Sequence, residues 1–122
     1  MEGHSYPFEK LEVWNLARNL SKRIYSITTD YPSSEQFGLV NQMPRAVVSV
    51  TSNIAEGTSR TSGKDQARFT QLAYSSLMEL LNQLILSTDF GFLSQEKLQQ
   101  IRNDISEISN KLNALRKYQL KQ

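Results

Sequence analysis

Side chains that commonly carry catalysis are scarce in this sequence. The chain has one histidine, His4, and no cysteine. Di-iron bundles need paired Glu-x-x-His motifs and zinc hydrolases need two histidines on one helix, so one histidine near the chain start completes neither site. Gly57 and Gly63 lack the G-x-x-x-x-G-K spacing of a phosphate-binding loop, and the serines have no histidine base in the folded part of the chain. We therefore expect no enzymatic activity, no cofactor and no metal site.

A row of polar residues in the second helical segment is the most informative pattern. Gln42, Ser49 and Glu56 are spaced by seven residues, which places them on one helical face beside an apolar stripe. The row holds both signs of charge and no lysine, unlike an ordinary solvated face. We predict a structural polar network that fixes helix register, with the members Gln42, Arg45, Ser49, Asn53, Glu56, Ser76 and Glu79. A ligand-contacting groove is the alternative interpretation.

Two ion pairs are predicted around this network. Glu79 stands among apolar residues, and a helical hairpin would bring Arg45 close to it, so a partly buried Arg45–Glu79 pair is expected. Glu56 falls in the last turn of its helix, where an acid opposes the helix dipole. Arg60 or Lys64, across the following turn, would offset it, or the corner would face a partner.

Basic residues collect in three places. The net charge is only +2, although the pI is about 9.0, so an anionic partner is weakly indicated. Repeated around an oligomer, these modest clusters would form a rim that contacts RNA or DNA phosphates, and ordinary solvated surface is the alternative. No aromatic platform is evident beside the clusters. The candidate nucleic-acid contacts are Arg18, Lys22 and Arg23, then Arg60, Lys64 and Arg68, then Arg116 and Lys117.

Apolar residues recur at intervals of three and four in four segments, which predicts four amphipathic helices. Short connectors between them favour an all-α, antiparallel up-down-up-down four-helix bundle. We expect the bundle over residues 8–118, a flexible N-terminal tail over 1–7 and a C-terminal tail over 119–122. The third helix is apolar nearly all round, so one of its faces is expected against another subunit.

Turn and cap residues predict the helix boundaries. The first helix should begin near Phe8, and Ser33 with Gln36 fits a capping box for the second. Pro44 should kink the second helix without ending it, and Gly57 should end it in a left-handed cap. The same reasoning gives a capping box at Ser62 with Asp65, a glycine cap at Gly91 and an N-cap at Ser94.

No apolar run is long enough to cross a membrane, and the first ten residues show no secretory signal. The absence of cysteine is compatible with a reducing compartment. We therefore expect a cytoplasmic protein with no membrane partner.

The second helical segment also carries a distinctive run, Asn53-Ile54-Ala55-Glu56-Gly57, followed by Arg60. Further residues extend the pattern: Phe8, Leu11, Val13, Trp14, Phe37-Gly38-Leu39, Gln42, Arg45-Ala46, Ser49, Phe69, Ala73, Ser76 and Glu79. On these residues the chain, over about 8–115, resembles the bacterial four-helix-bundle family encoded within intervening sequences of 23S rRNA genes.

The resemblance implies a four-helix bundle that assembles, as a homopentameric ring. That family is similar to the accessory proteins of diversity-generating retroelements, which are basic pentamers that bind nucleic acid and a reverse transcriptase. Two positions depart from the family pattern. Pro44 replaces a residue that favours helix, and Thr51 replaces a usual proline.

Two functions remain open at this point. The first is a non-enzymatic homo-oligomer that binds RNA or DNA as an accessory factor. The second is a scaffold that binds a protein partner and no nucleic acid.

Overall fold

The chain folds into four α-helices around one core. The computed structural model describes residues 3–35 and 38–122, and it contains no strand within these ranges. The helices are α1 (Glu12–Thr28), α2 (Leu39–Thr58), α3 (Gly63–Asp89) and α4 (Gln95–Leu120), with short 3-10 turns at Pro7–Lys10 and Ser33–Glu35. The all-α fold class predicted from the apolar spacing is confirmed.

Each helix packs against its neighbours in sequence, and α1 also packs against α4. The four apolar stripes therefore close around a shared interior, as in a bundle joined by short connectors. The heptad positions of α4 line this interior, since Ile101, Ile108 and Leu112 are almost wholly buried. The other large side chains with almost no exposure are Leu20, Ile24, Met43, Val47, Val50, Ile54, Leu77, Leu80 and Leu84.

The first helix begins one turn later than predicted. Pro7 starts a 3-10 turn, and the extended backbone of Leu11 separates this turn from α1. The ring of Phe8 packs edge-on against Trp14, with 4.9 Å between the ring centroids. Phe8 therefore covers the start of α1 instead of belonging to it.

The second helix runs through Pro44 as a single element, as the continuous apolar spacing predicts. It begins at Leu39, after Gly38, and the predicted capping box involves Gln36, which lies outside the described residues. The predicted left-handed cap at Gly57 is wrong, because Gly57 lies inside α2 and has no positive φ. A Cβ there would stand 3.1 Å from Phe69 Cβ and 3.3 Å from the Gln66 carbonyl oxygen, so the glycine permits close packing of α2 on α3.

The predicted N-caps at Ser62 and Ser94 and the glycine cap at Gly91 are confirmed, whereas no return bond from the Ser62 backbone N–H to Asp65 completes the predicted capping box in the described structure. Ser62 Oγ accepts a hydrogen bond from the Asp65 backbone N–H, and Ser94 Oγ accepts one from Lys97, each at 3.1 Å. Gly91 has a φ of +85°, which a residue with a side chain rarely adopts. The N–H groups that follow α3 bond back to its last carbonyls in a Schellman arrangement, with Phe92 N to Ser87 O at 2.9 Å.

The end of α4 lies later than the predicted boundary at residue 118. The helix continues to Leu120, and Gln119 is buried against α3. Thr70 Oγ1 donates to Gln119 Oε1 at 2.6 Å. A Cβ on Gly63 would collide with the Gln119 carbonyl oxygen, so the start of α3 and the end of α4 are in backbone contact. This clamp holds the two helix ends together.

Tyr31, between α1 and α2, is buried against Phe92, with ring centroids 5.5 Å apart. Burial raises the pKa of Tyr31, and the neighbouring Ser87 hydroxyl offsets part of that effect. Ser87 Oγ donates instead to the Gln83 carbonyl at 2.8 Å, and no partner in the described chain meets hydrogen-bond geometry at the Tyr31 hydroxyl. The ring therefore contributes to packing, while its hydroxyl is buried at a cost.

Candidate functional site

Three members of the predicted polar network lie together between α2 and α3. The hydroxyl oxygens of Ser49 and Ser76 are 2.8 Å apart across the two helices. Asn53 Nδ2 donates to the Ser49 carbonyl at 2.9 Å and to Ser49 Oγ at 3.1 Å. All three side chains are partly buried, and the hydrogen bond between Ser49 and Ser76 joins α2 to α3.

The predicted Arg45–Glu79 ion pair is not formed. Both side chains are exposed on the outer faces of their helices, and no salt bridge joins them in the described structure. Gln42 is exposed as well. Outward-facing charges keep their hydration, which a buried pair would have to lose. Arg45 therefore remains available to a partner outside the bundle.

The corner between α2 and α3 is densely charged. Arg60 Nη2 lies 2.7 Å from Glu56 Oε2, which is the predicted pairing at the end of α2. Asp65 lies between two arginines, with Arg68 Nη2 at 3.1 Å and Arg60 Nε at 3.7 Å. Two carboxylates thus face two guanidinium groups, so the corner is close to neutral apart from the exposed Lys64.

Phe69 is the aromatic centre of this corner. The guanidinium carbons of Arg60 and Arg68 stand 4.6 Å and 4.5 Å from its ring centroid. Such cation–π contacts add to the ion pairs already made by both arginines. Since these guanidinium groups are held within the chain, Arg60 in particular is a weak candidate for phosphate contact.

The structure divides the predicted basic cluster of α1. Arg23 lies on the side facing α4, where it forms an ion pair with Asp104. Arg18 and Lys22 are exposed on the other side, and the Arg18 guanidinium stands 5.4 Å from the Trp14 ring centroid. Lys111 Nζ, also between α4 and α1, lies 3.0 Å from Glu12 Oε1, and this hydrogen-bonded carboxylate raises the pKa of Lys111. The ion pairs between α1 and α4 therefore neutralise Arg23 and Lys111. Arg18 and Lys22, on the other side of α1, have no acidic partner in the described chain.

A groove of about 580 Å³ opens between α1 and α2. We call it the α1/α2 groove, lined by Tyr25, Val40, Asn41, Pro44, Arg45, Val48 and Ser49. None of these lining residues is acidic. The ring of Tyr25 is 55% exposed. An exposed aromatic ring beside an exposed guanidinium is suited to stacking on a base and contacting its phosphate.

Sequence reasoning missed Tyr25, although a signal was present. Arg18, Lys22 and Tyr25 follow one another at spacings of four and three, which places them on one stripe of α1. Tyr25 is therefore a candidate aromatic platform that the sequence prediction did not consider. What the spacing could not show is that this stripe borders α2 and its Arg45.

A second groove, of about 560 Å³, lies between the first turns of α3 and the last turns of α4. It brings together cations from two of the predicted clusters, since Lys64 and Arg68 line one side and Arg116 the other. We call it the α3/α4 groove, and its further lining residues are Ser62, Asp65, Ala67, Gln71, Leu72 and Leu120. Lys117 is exposed but is absent from this lining.

The described residues hold no cluster of three histidine, cysteine or carboxylate side chains placed to bind a metal ion. In the same part of the chain, no helix combines the length and the hydropathy that crossing a bilayer requires. The structure is thus a small helical bundle, and the α1/α2 and α3/α4 grooves are its candidate binding surfaces.

The chain belongs to the family of 23S rRNA-intervening sequence proteins, whose model matches residues 9–114. A solved structure, titled as a protein of unknown function from the S23 ribosomal protein family of Bacteroides thetaiotaomicron VPI-5482, has a similar fold. The TM-score is 0.79 at 23% sequence identity, over 86% of this chain and 95% of that one. At this identity the likeness shows the fold alone. The curated proteins include no significant match.

Proposed function

We propose that this chain is a non-enzymatic, cytoplasmic homo-oligomer that binds single-stranded RNA or DNA as an accessory factor. The observation that carries the proposal is the α1/α2 groove, whose lining includes exposed Tyr25 and exposed Arg45 and has no acid. Stacking on an aromatic ring tolerates any base, and cations beside it contact the backbone. The groove therefore fits a single strand better than a duplex.

The charge distribution supports this choice of surface. Arg60 and Arg68 are compensated by Glu56 and Asp65, and Arg23 is compensated by Asp104. Arg18, Lys22 and Arg45 have no such carboxylate partner in the described chain. Phosphate contacts release counterions only where a cation is not already neutralised by the protein.

Self-association is the second part of the proposal. The outer face of α3 exposes Leu86, and Phe90 follows it at 59% exposure. Apolar side chains spaced along one outer face favour a contact with another subunit. The family resemblance suggests five copies, and a ring would repeat the α1/α2 groove around its rim, which multiplies weak phosphate contacts.

The nucleic-acid part is tested by titrating a labelled single-stranded oligonucleotide at several salt concentrations. Affinity should fall with salt, with a logarithmic slope of about −0.7 for each phosphate contacted. The variant Arg18→Ala/Lys22→Ala/Arg45→Ala should bind more weakly and with a shallower slope. The matched control removes three other exposed cations, Lys10→Ala/Lys97→Ala/Arg102→Ala.

Two outcomes would contradict this part. One is the absence of binding at low salt, and the other is an equal loss in the control variant, which would mean that net charge and not the groove attracts the strand. If nucleic acid does not bind, the protein-binding scaffold becomes the favoured function.

Self-association is tested separately by light scattering on the purified chain. We expect a mass several times that of one subunit. The variant Leu86→Asp/Phe90→Asp should lower the mass without unfolding, because both side chains are exposed in the monomer. A clean wild-type monomer at tens of micromolar would refute this part and leave the oligonucleotide result unaffected.

A further inference from the structure

We propose that the α3/α4 groove binds an acidic, aliphatic-rich peptide segment of a partner protein. This site lies on different helices from the α1/α2 groove, and the inference does not depend on nucleic-acid binding. It assigns to the chain a second partner of a different chemical class.

The apolar part of the groove is aliphatic. Leu72 is 42% exposed and Leu120 is 50% exposed, and buried Ala67 lies between the helices near them. Two large aliphatic side chains at a groove of about 560 Å³ offer contact area to leucine-like side chains of a ligand. None of the lining residues is aromatic, so the groove lacks the flat ring on which a base stacks.

The polar part of the groove is cationic. Lys64, Arg68 and Arg116 line it, and the one acid is Asp65. The Asp65 carboxylate already accepts from Arg68 Nε at 3.1 Å and lies near Arg60. Lys64 and Arg116 have no carboxylate partner in the described structure. The charge left over is positive, and carboxylates of a ligand complement it.

The last turns of α4 add to the positive charge near this groove. After Glu107 the chain contains no further acid, whereas Lys111, Arg116, Lys117 and Lys121 all follow it. Cations near a helix C-terminus are favourable in themselves, so this composition also stabilises the helix. Arg116 and Leu120 are four residues apart, which places one cation and one aliphatic side chain on the same stripe of α4. A ligand helix with a carboxylate one turn from a leucine matches this pair.

The groove is held in shape by the clamp beneath it. The Gly63 backbone lies against the Gln119 carbonyl, and the buried Thr70–Gln119 hydrogen bond joins the same two helices. A surface that is already ordered loses little conformational freedom when a ligand binds. A short acidic segment that is disordered when free loses conformational entropy on binding. It therefore binds better to a site that needs no ordering of its own.

The test uses a labelled sixteen-residue helical peptide with leucine along one face and glutamate elsewhere. Two control peptides replace its glutamates by lysine or its leucines by serine. Fluorescence anisotropy should show saturable binding of the first peptide to the wild-type chain and about tenfold weaker binding of each control, since both charge and apolar contact contribute.

Protein variants locate the site. Arg116→Glu should weaken peptide binding by about tenfold, and Leu120→Asn by about fivefold, since each removes one of the two complementary contacts. The matched control Arg102→Glu makes the same exchange at an exposed position of the same helix and should change affinity less than about twofold. Circular dichroism verifies that each variant is folded.

Several results would overturn the proposal. They are no binding of the acidic peptide, equal binding by Arg116→Glu and Arg102→Glu, or equal binding of the serine control peptide. A change in oligomer mass with Leu120→Asn would assign the groove to a second copy of the chain. Loss of oligonucleotide binding with Arg116→Glu would assign it to nucleic acid, whereas unchanged oligonucleotide binding supports separate sites.

Discussion

The two grooves of this bundle are similar in size and sign of charge but differ in their apolar residues. The α1/α2 groove places the Tyr25 ring beside Arg45, whereas the α3/α4 groove places Leu72 and Leu120 beside Arg68 and Arg116. An aromatic ring provides a flat face on which a base can stack, whereas a leucine provides only apolar contact area. We therefore expect the kind of partner to depend on the apolar residue next to the cations more than on the cations themselves.

The grooves also differ in how their helices are joined. The α3/α4 groove stands on a backbone contact at Gly63 and on a buried hydrogen bond from Thr70. The α1/α2 groove includes Pro44, a residue that cannot donate a backbone hydrogen bond to the preceding turn. We expect mutations in the joining contacts to affect the α3/α4 groove more strongly.

Gly63→Ala should have the largest effect. A Cβ at this position meets the Gln119 carbonyl, so backbone must move, and we expect a loss of about 3 kcal/mol of unfolding free energy. Urea denaturation measures it, with Gly3→Ala as the control because no atom lies within 4 Å of its Cβ. The folded variant should lose acidic-peptide binding and keep oligonucleotide binding. Equal stability of the two variants would show that the helix ends separate freely.

Tyr25→Leu replaces the aromatic residue of the α1/α2 groove by leucine, the residue type that lines the α3/α4 groove. Losing one stacked base should weaken oligonucleotide binding by about 1–3 kcal/mol. The control Tyr118→Leu changes a tyrosine that is 63% exposed on α4 and should leave binding unchanged. If leucine binds the strand as well as tyrosine does, the distinction between the grooves fails. Anisotropy titration at constant salt gives the answer.

Thr70→Val removes the hydroxyl that Gln119 Oε1 accepts from, and it leaves that oxygen buried without a partner. The expected loss of stability is about 1–3 kcal/mol. Thr61→Val is the control, because Thr61 is exposed. A midpoint in urea that matches the control would show that water replaces the lost bond and that the clamp rests on Gly63 alone.

Tyr31→Phe should have the smallest effect at neutral pH, a gain of about 0.5–1 kcal/mol in unfolding free energy, because it removes the desolvation cost of a buried hydroxyl that has no hydrogen-bond partner. Burial raises the Tyr31 pKa above its ordinary value of 10.0. The unfolded phenol therefore releases its proton first, so wild-type stability is complete below pH 10.0 and falls as pH rises through the folded pKa. The phenylalanine variant should lack this fall.

Urea midpoints from neutral to alkaline pH test the Tyr31 prediction, with the exposed Tyr118→Phe as control. A large loss at neutral pH would mean that the hydroxyl makes a stabilising bond.

Much of the fold follows from local pattern. Ser62 and Ser94 cap helices because a hydroxyl there reaches a free backbone N–H two or three residues later. Gly91 ends α3 because the turn needs a positive φ. Gly57 obeys a different rule. Its sequence context resembles a cap, but its missing side chain makes room for Phe69 on another helix.

The candidate site follows less closely from the sequence. Ser49 and Ser76 share a network as the heptad spacing of the polar row suggests. Arg45 and Glu79 do not pair, because spacing along a helix does not reveal whether two outer faces turn toward each other or toward water. Arg23 likewise leaves its predicted cluster for Asp104, a residue far along the chain.

The sequence by itself determined the four helices, the capping residues and the apolar stripes, because each depends on residues within one or two turns. The tertiary structure alone decided which cations remain uncompensated. Arg23 is neutralised by Asp104, which packing brings to it from another helix, while Arg45 and Arg116 are left at groove edges. Such pairing depends on distances between side chains of different helices, which a local pattern does not specify.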